Sequence, residues 1–168
     1  YQEEEDFKHL KETQKLSVSS IYQDAYTKDW VFSIMVPIVI KEEFKGYVLV
    51  DMKMDVFGLL QQSDERFPSL TVDLTDHDGN VAYSMDADAV AKPVKDTLPE
   101  DVYNTLESMK AEGKSFNVVT DSLDNGKVKR FLAPLEVGDT DWWVSVSLSE
   151  AEYNATLMTL VKTAMLTN

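Results

Sequence analysis

The sequence contains one strand pattern twice, and this repeat limits the folds open to the chain. Residues 32–38 form an apolar run with a proline, and a charged turn and a second apolar run at residues 46–52 follow. Residues 130–135 and 142–148 repeat that order, again with a proline near the end of the first run. A repeated supersecondary unit in a chain that is not a solenoid predicts two copies of one module.

The charge balance narrows the classes of partner. The chain has 16 basic and 30 acidic residues, a net charge of −14. Nucleic-acid binding requires clustered Lys and Arg that displace counterions, whereas the arginines here are only Arg66 and Arg130. We therefore predict no nucleic-acid partner. The acidity indicates a soluble surface, with cation binding as the alternative.

No segment of the sequence has the length and composition of a membrane span. The longest apolar run, residues 31–40, is of strand length and contains Ser33 and Pro37, far short of the roughly 18 residues that a span needs. The first residues are acidic rather than basic, which is not the pattern of a signal peptide. A membrane anchor of the parent protein is therefore expected outside these residues.

The second half of the chain predicts a complete module. Alternating or apolar runs predict strands at residues 70–75, 81–85, 116–120, 128–135 and 142–148. Pro99 and Gly113 bound a predicted helix between the second and third of these strands. Trp142 and Trp143 are adjacent, so one is expected on each side of the last strand. This order predicts a PAS-like five-stranded antiparallel sheet with a helix on one face.

The first half predicts a helix over residues 1–16, strand character from Ser17 onward, and a short helix over residues 55–62. It has no room for the opening hairpin of the second module. Either the chain begins inside the first module, or those strands never existed and the first module leans on the second. We predict a first module at residues 1–65 and a second at residues 66–150.

The last segment, residues 151–168, is predicted to be a helix that leads toward a membrane segment. Ser149 and Glu152 have the spacing of a capping box. One apolar stripe follows at helical spacing: Tyr153, Leu157, Leu160, Val161 and Ala164. The stripe could pack on its own domain, pair with a second copy, or continue toward a membrane.

Residues 22–38 and 44–52 resemble the double Cache family, the extracytoplasmic sensor domains of bacterial chemoreceptors, histidine kinases and diguanylate cyclases. The shared pattern is Tyr-x-Asp at Tyr22 and Asp24, an apolar strand with Pro37, and a returning strand that carries Asp51. Residues 74–81 and 142–144 resemble the family's second module in the same way.

The resemblance implies an α+β fold of PAS-like antiparallel sheets with flanking helices, in two tandem modules of which the first is truncated. It also implies an extracytoplasmic sensor that binds a small molecule, without enzymatic activity. Its parent would be tethered to the cell membrane and would signal to a chemotaxis or two-component output in the cytoplasm.

The resemblance further implies that Asp51 holds a ligand amine. Tyr22, Asp24, Trp30 and Ser33 would line the same face of the sheet. Amino-acid-binding members carry an arginine for the ligand carboxylate, and residues 6–11 contain none. From the residues alone, Asp51 is either a solvent-facing residue near a strand end or a ligand contact, and Trp30 is either ordinary packing or part of the site.

Residues that could support other chemistry form no recognisable site. Asp73, Asp76 and Asp78 stand beside Gly79 as in a calcium loop, but placing Gly79 at its sixth position puts Leu74 and Met85 where carboxylates are required. These residues predict a hairpin turn instead. No metal, cofactor or catalytic motif is predicted. The alternative to a sensor is a structural module that forms a homodimer through the helix of residues 151–168.

Overall fold

The computed structural model describes residues 2–61, 65, 67–123, 126–135 and 141–166. These residues form three α-helices, α1 (Gln2–Thr13), α2 (Glu100–Glu112) and α3 (Glu150–Leu166). The strands are β1 (Ser17–Val18), β2 (Tyr22–Gln23), β3 (Trp30–Ile40), β4 (Glu43–Lys53), β5 (Thr71–Thr75), β6 (Val81–Tyr83), β7 (Asn117–Leu123), β8 (Gly126–Pro134) and β9 (Trp143–Ser149). A 3₁₀ helix, Met54–Gln61, follows β4. The predicted fold class, α+β with PAS-like antiparallel sheets, is confirmed.

The second module is a five-stranded antiparallel sheet in the order β6-β5-β9-β8-β7. Helix α2 follows Pro99 and ends at Gly113, whose φ of 63° closes the helix in the left-handed region that glycine adopts without strain. Val102, Leu106 and Met109 lie on one face of α2 and are buried with Leu132 of the sheet. The predicted order of strands and helix is therefore confirmed.

In the first module, β3 pairs with β4 on one side and with the short strands β1 and β2 on the other. The hairpin β3-β4 thus occupies the place that β8-β9 has in the second sheet, as the sequence repeat predicts. The outer edge of β9 pairs with β5. The outer edge of β4 has no strand beside it in the part of the chain that the structure describes.

The two modules share one apolar core. Phe32 of β3 lies between Phe57 and Trp142, with ring centroids 5.6 Å and 5.3 Å away. Trp142 immediately precedes β9, so this cluster joins the first sheet to the second. Burial of aromatic side chains is among the largest single contributions to packing. The first module therefore packs against the second, an arrangement that leaves both alternatives for its missing strands open.

Both neighbouring tryptophans are buried, on opposite sides of the last strand. Trp142 joins the core between the modules, and Trp143 packs with α2. The expected opposite orientation is therefore confirmed. The expected module junction, residues 63–66, lies outside the described residues apart from Glu65, so that boundary stays a prediction.

Helix α3 begins with one half of the predicted capping box, because the Glu152 amide donates to Ser149 Oγ at 3.2 Å. The other half is replaced by Ser69, whose Oγ accepts from the Ser149 amide and whose amide donates to the Glu152 carboxylate. Tyr153 packs on Phe131 of β8 with ring centroids 6.0 Å apart. Farther along the helix, Leu157 is exposed. The side chains of the rest of the predicted stripe (Leu160, Val161 and Ala164) lie outside the described residues. No helix within the described ranges has the length and apolar character that a membrane span requires.

Candidate functional site

Three of the predicted site residues meet on one face of the first sheet. Ser33 and Asp51 are direct cross-strand partners of β3 and β4. Ser33 Oγ donates a hydrogen bond to Asp51 Oδ1 at 2.7 Å. Tyr22 Oη lies 3.1 Å from the same carboxylate oxygen and 2.7 Å from Ser33 Oγ. Two hydroxyl groups therefore hold one oxygen of the Asp51 carboxylate in a fixed position.

The Asp51 carboxylate faces solvent although its support is buried. Ser33 is only 4% exposed, whereas Asp51 is exposed. Both hydroxyls contact Oδ1, and none of the described residues bonds to Oδ2. A carboxylate can accept hydrogen bonds at both oxygens. Asp51 therefore presents an oriented acceptor oxygen at the open edge strand of the sheet.

Asp24 lies in the turn after β2 rather than beside Asp51. One oxygen of its carboxylate accepts hydrogen bonds from the amides of Tyr26 and Thr27 and from the Thr27 hydroxyl. The amide and hydroxyl of Thr27, with the Tyr26 amide, lower the pKa of Asp24. These contacts are those of a side chain that stabilises a turn.

Trp30 lies on the other face of β3, because its distance from Ser33 in the strand is an odd number of residues. The expectation that Trp30 shares the face of Asp51 is therefore wrong. Trp30 lines a separate cavity of ≈ 390 Å³, together with Lys53 of β4 and with Ala87 and Val90 of the second module.

The segment between β1 and β2 connects this site to the second module. The Ser33 amide donates to Ser19 Oγ at 2.9 Å, and the Ser19 amide donates to the Ser33 carbonyl at 2.9 Å. Next along the chain, Ser20 Oγ lies 3.0 Å from His77 Nδ1. The Ile21 amide donates to Asp76 Oδ2 at 3.1 Å. The candidate site is therefore one short segment away from the contact between the modules.

The Asp76 carboxylate accepts hydrogen bonds both from Ile21 and from its own turn. Its Oδ1 accepts a hydrogen bond from the Asn80 amide at 2.7 Å, and Gly79 adopts a φ of 80° in the same turn. The prediction of a hairpin turn is thus confirmed. Burial raises the pKa of Asp76, and the amides of Asn80 and Ile21 offset part of that rise. Local sequence carries no signal for the contact with Ile21, so sequence reasoning missed it.

A cavity of ≈ 440 Å³, lined by both polar and apolar side chains, lies in the second module. Its floor is the sheet face that also carries α2, and hydroxyl side chains line the floor: Thr71 and Thr75 of β5, and Ser145 and Ser147 of β9. Arg130 of β8 is 5% exposed and lies at the same face.

Sequence reasoning did not select any residue of this cavity, since alternating polar residues usually face solvent. A signal was present, because Arg130 is one of two arginines and directly precedes the apolar residues 131–135.

Solved structures with the same fold are sensor domains. The extracellular domain of mmHK1S-Z3, assigned as a histidine kinase, has a TM-score of 0.67 and 18% identity over 91% of this chain and 56% of its own. The periplasmic sensory domain of the Campylobacter jejuni chemoreceptor Tlp1 has a TM-score of 0.62 and 17% identity over 88% of this chain and 55% of its own. The ligand-binding domain of the Pseudomonas fluorescens chemoreceptor CtaA, solved with L-isoleucine, has a TM-score of 0.62 and 16% identity over 90% of this chain and 59% of its own.

At these identities the likeness shows the fold, and the resemblance to double Cache sensor domains is confirmed. The chain spans little more than half the length of each solved domain. A search of curated proteins finds no sequence that matches. The family model for a gammaproteobacterial periplasmic sensor domain, GAPES1, matches residues 2–86. The chain thus belongs to this family of periplasmic, extracytoplasmic sensor domains.

Proposed function

We propose that the chain is the ligand-binding part of a receptor tethered to the cell membrane, and that it senses a small molecule carrying an amino group. The observation that carries this proposal is the Asp51 carboxylate, exposed at one oxygen and held at the other by Ser33 and Tyr22. An ammonium group would bind at Oδ2 through a charge-assisted hydrogen bond, the stronger kind. No rearrangement of the carboxylate is needed for this contact.

The chemistry around the site favours an amine over a carboxylate ligand. The chain has a net charge of −14, so an anion meets a repulsive field. Arg130 is buried in the second module, and residues 6–11 hold no arginine. The CtaA domain has been solved with L-alanine, L-serine and L-isoleucine, each of which carries an amino group as well as a carboxylate, so an amine contact is compatible with these ligands without being singled out by them. These observations support recognition through the amine.

A ligand at Asp51 would act on the second module through residues 19–21. Ser33 contacts both Asp51 and Ser19, and the following residues contact Asp76 and His77. A ligand shifts a conformational equilibrium only by its difference in affinity for the two states. We propose that the bound state changes the packing between the modules, and with it the position of α3, which passes the signal to a cytoplasmic output of chemotaxis or two-component type.

A thermal-shift screen of the purified chain against amines, amino acids, small carboxylates and nucleobases tests the proposal. A ligand that binds the native state raises the melting temperature by mass action. We expect stabilisation by an amine, and loss of that shift in Asp51→Asn, which keeps the size of the side chain and removes its charge.

The matched control is Glu42→Gln, which removes an exposed carboxylate at the turn of the same hairpin. We expect this variant to respond to the amine as the wild type does. A shift that Asp51→Asn leaves undiminished, or that only carboxylates produce, contradicts the proposal.

Dimerisation through α3 is a second candidate function. Leu157 and Met158 of this helix are 42% and 57% exposed, an apolar surface that a second copy could cover. Light scattering across a range of concentrations distinguishes a dimer from a monomer, because a dimer interface on α3 predicts a mass that rises with concentration. Leu157→Glu should then return the mass to that of the monomer. A constant monomer mass contradicts dimerisation.

A further inference from the structure

The cavity of ≈ 440 Å³ in the second module has buried charged groups as well as hydroxyl groups at its floor. Arg130 Nε donates to Asp121 Oδ2 at 3.2 Å, and its Nη1 donates to Ser145 Oγ at 3.1 Å. The distance from Nη1 to Asp73 Oδ2 is 3.5 Å, the limit of a hydrogen bond. Arg130 is therefore committed to Asp121 and Ser145, and its contact with Asp73 is weak.

Negative charge is in excess around this cavity. Its walls carry the carboxylates of Asp73, Asp86 and Asp96 against the cations Arg130 and Lys92. Asp121, behind Arg130, adds a further carboxylate whose Oδ1 is buried without a hydrogen-bond partner among the described residues. A buried charge is costly unless it is paired. The arrangement therefore disfavours an anionic ligand and leaves room for one more positive charge.

Asp73 is the carboxylate best placed to receive that charge. It lies on the cavity floor in β5, and Ser84 Oγ donates to its Oδ1 at 2.7 Å, which fixes its orientation. Burial raises the pKa of Asp73, because the hydrogen bond from Ser84 and the nearby Arg130 compensate only part of the lost hydration. A cation bound beside Asp73 would complete this compensation.

The remaining walls indicate the size and shape of a ligand. The volume of ≈ 440 Å³ falls in the range of small-molecule sites, about 300–1,000 Å³. Thr71 and Ser147 provide hydroxyl groups on the floor, and Val94 and Leu98 form an apolar wall. A short aliphatic amine with a second hydrogen-bonding group fits these walls.

We propose that this cavity is a second ligand site, independent of the Asp51 site, and that it binds a small aliphatic amine whose ammonium group contacts Asp73. The periplasmic domain thus has one candidate site in each module. The second site lies on the sheet that leads directly into α3, since β9 ends where α3 begins.

Calorimetric titration of the 168-residue chain carrying Asp51→Asn, which removes the first candidate site, tests the proposal with 2-aminoethanol and with 1,4-diaminobutane, and with glycolate as an anion of similar size. The variants below are made in the same Asp51→Asn background. We expect at least one amine to bind and glycolate not to bind. In Asp73→Asn the affinity for that amine should fall about tenfold or more, because a charge-assisted hydrogen bond is lost. Asp88→Asn, an exposed carboxylate outside the cavity walls, should leave the affinity unchanged.

A second variant distinguishes loss of the ligand contact from a folding defect in Asp73→Asn. Ala89 lines the cavity, and Ala89→Leu adds three carbon atoms that reduce its volume without touching a charge. We expect this variant also to lose amine binding while its thermal unfolding remains cooperative. Amine binding that the wild type shows and the Asp51→Asn background lacks would place the amine in the first module alone and overturn this proposal. Preferential binding of glycolate, or no binding of either amine, would also overturn it.

Discussion

The amide of Ile21 donates a hydrogen bond to the carboxylate of Asp76 across the contact between the two modules, at 3.1 Å. Both residues are buried, and Asp76 has no exposed surface. A hydrogen bond to a charged group contributes about 1.5–3 kcal/mol. Ile21 also stands two residues from Ser19, which bonds to Ser33 of the candidate site. One contact therefore serves stability and connects the site to the second sheet.

Replacement of Asp76 by alanine should destabilise the whole chain. The change leaves the buried amide of Ile21 and the partly buried amide of Asn80 without their acceptor, and an unsatisfied buried group costs about 1–3 kcal/mol. Urea unfolding measures the loss. Asp78→Ala, in the same turn but exposed, is the control and should cost about 0.5 kcal/mol or less. Equal losses in the two variants would contradict the role assigned to Asp76.

Replacement of Phe32 by alanine should weaken both modules together. Phe32 contacts Phe57 and Trp142 in the shared core, and a buried Phe→Ala change costs about 3–5 kcal/mol. Calorimetry should show one unfolding transition, moved to lower temperature as a unit. Ile38→Ala removes an exposed side chain from the same strand and should lower the temperature of this transition far less. Two transitions, only one of them shifted, would show that the modules fold independently.

The charge of Asp73 should make stability depend on pH. Because burial raises the pKa of this carboxyl in the folded state, the native chain holds the proton more tightly than the unfolded chain does. The stability from this group is complete below the ordinary aspartate pKa of about 3.9 and is lost as the pH rises through the higher native value.

Asp73→Asn should therefore gain stability relative to the wild type as the pH rises from about 4 toward neutrality. Urea unfolding at a series of pH values measures this difference, and Asp88→Asn serves as the exposed control. A difference between Asp73→Asn and the wild type that does not vary with pH would contradict the raised pKa.

Regular periodicity made the second module predictable. Its strands and α2 have local signals, such as the spacing of Val102, Leu106 and Met109 and the glycine that ends the helix. The break between β1 and β2 has no such signal, because residues 19–21 leave the strand for partners in the second module. Contacts between residues distant in sequence decided that conformation.

The same contrast applies to the candidate sites. Ser33 and Asp51 meet because a hairpin brings alternate residues of two strands to one face, which the sequence repeat allows one to predict. The same alternation excludes Trp30 from that face. The cavity at Asp73 and Arg130 could not be predicted, since a polar strand face normally indicates solvent and here it is covered by the residues between β6 and α2.

Ligand binding at Asp51 is expected to reach the second module through the Ile21 amide, and NMR of the ¹⁵N-labelled chain tests this most directly. The titrant is the amine that stabilises the wild type but not Asp51→Asn. We predict that saturation changes the amide shifts of Ser33, Ser19 and Ile21 in the wild type, and none of them in Asp51→Asn. Changes confined to the surroundings of Asp51, with the Ile21 amide unaffected, would contradict transmission between the modules.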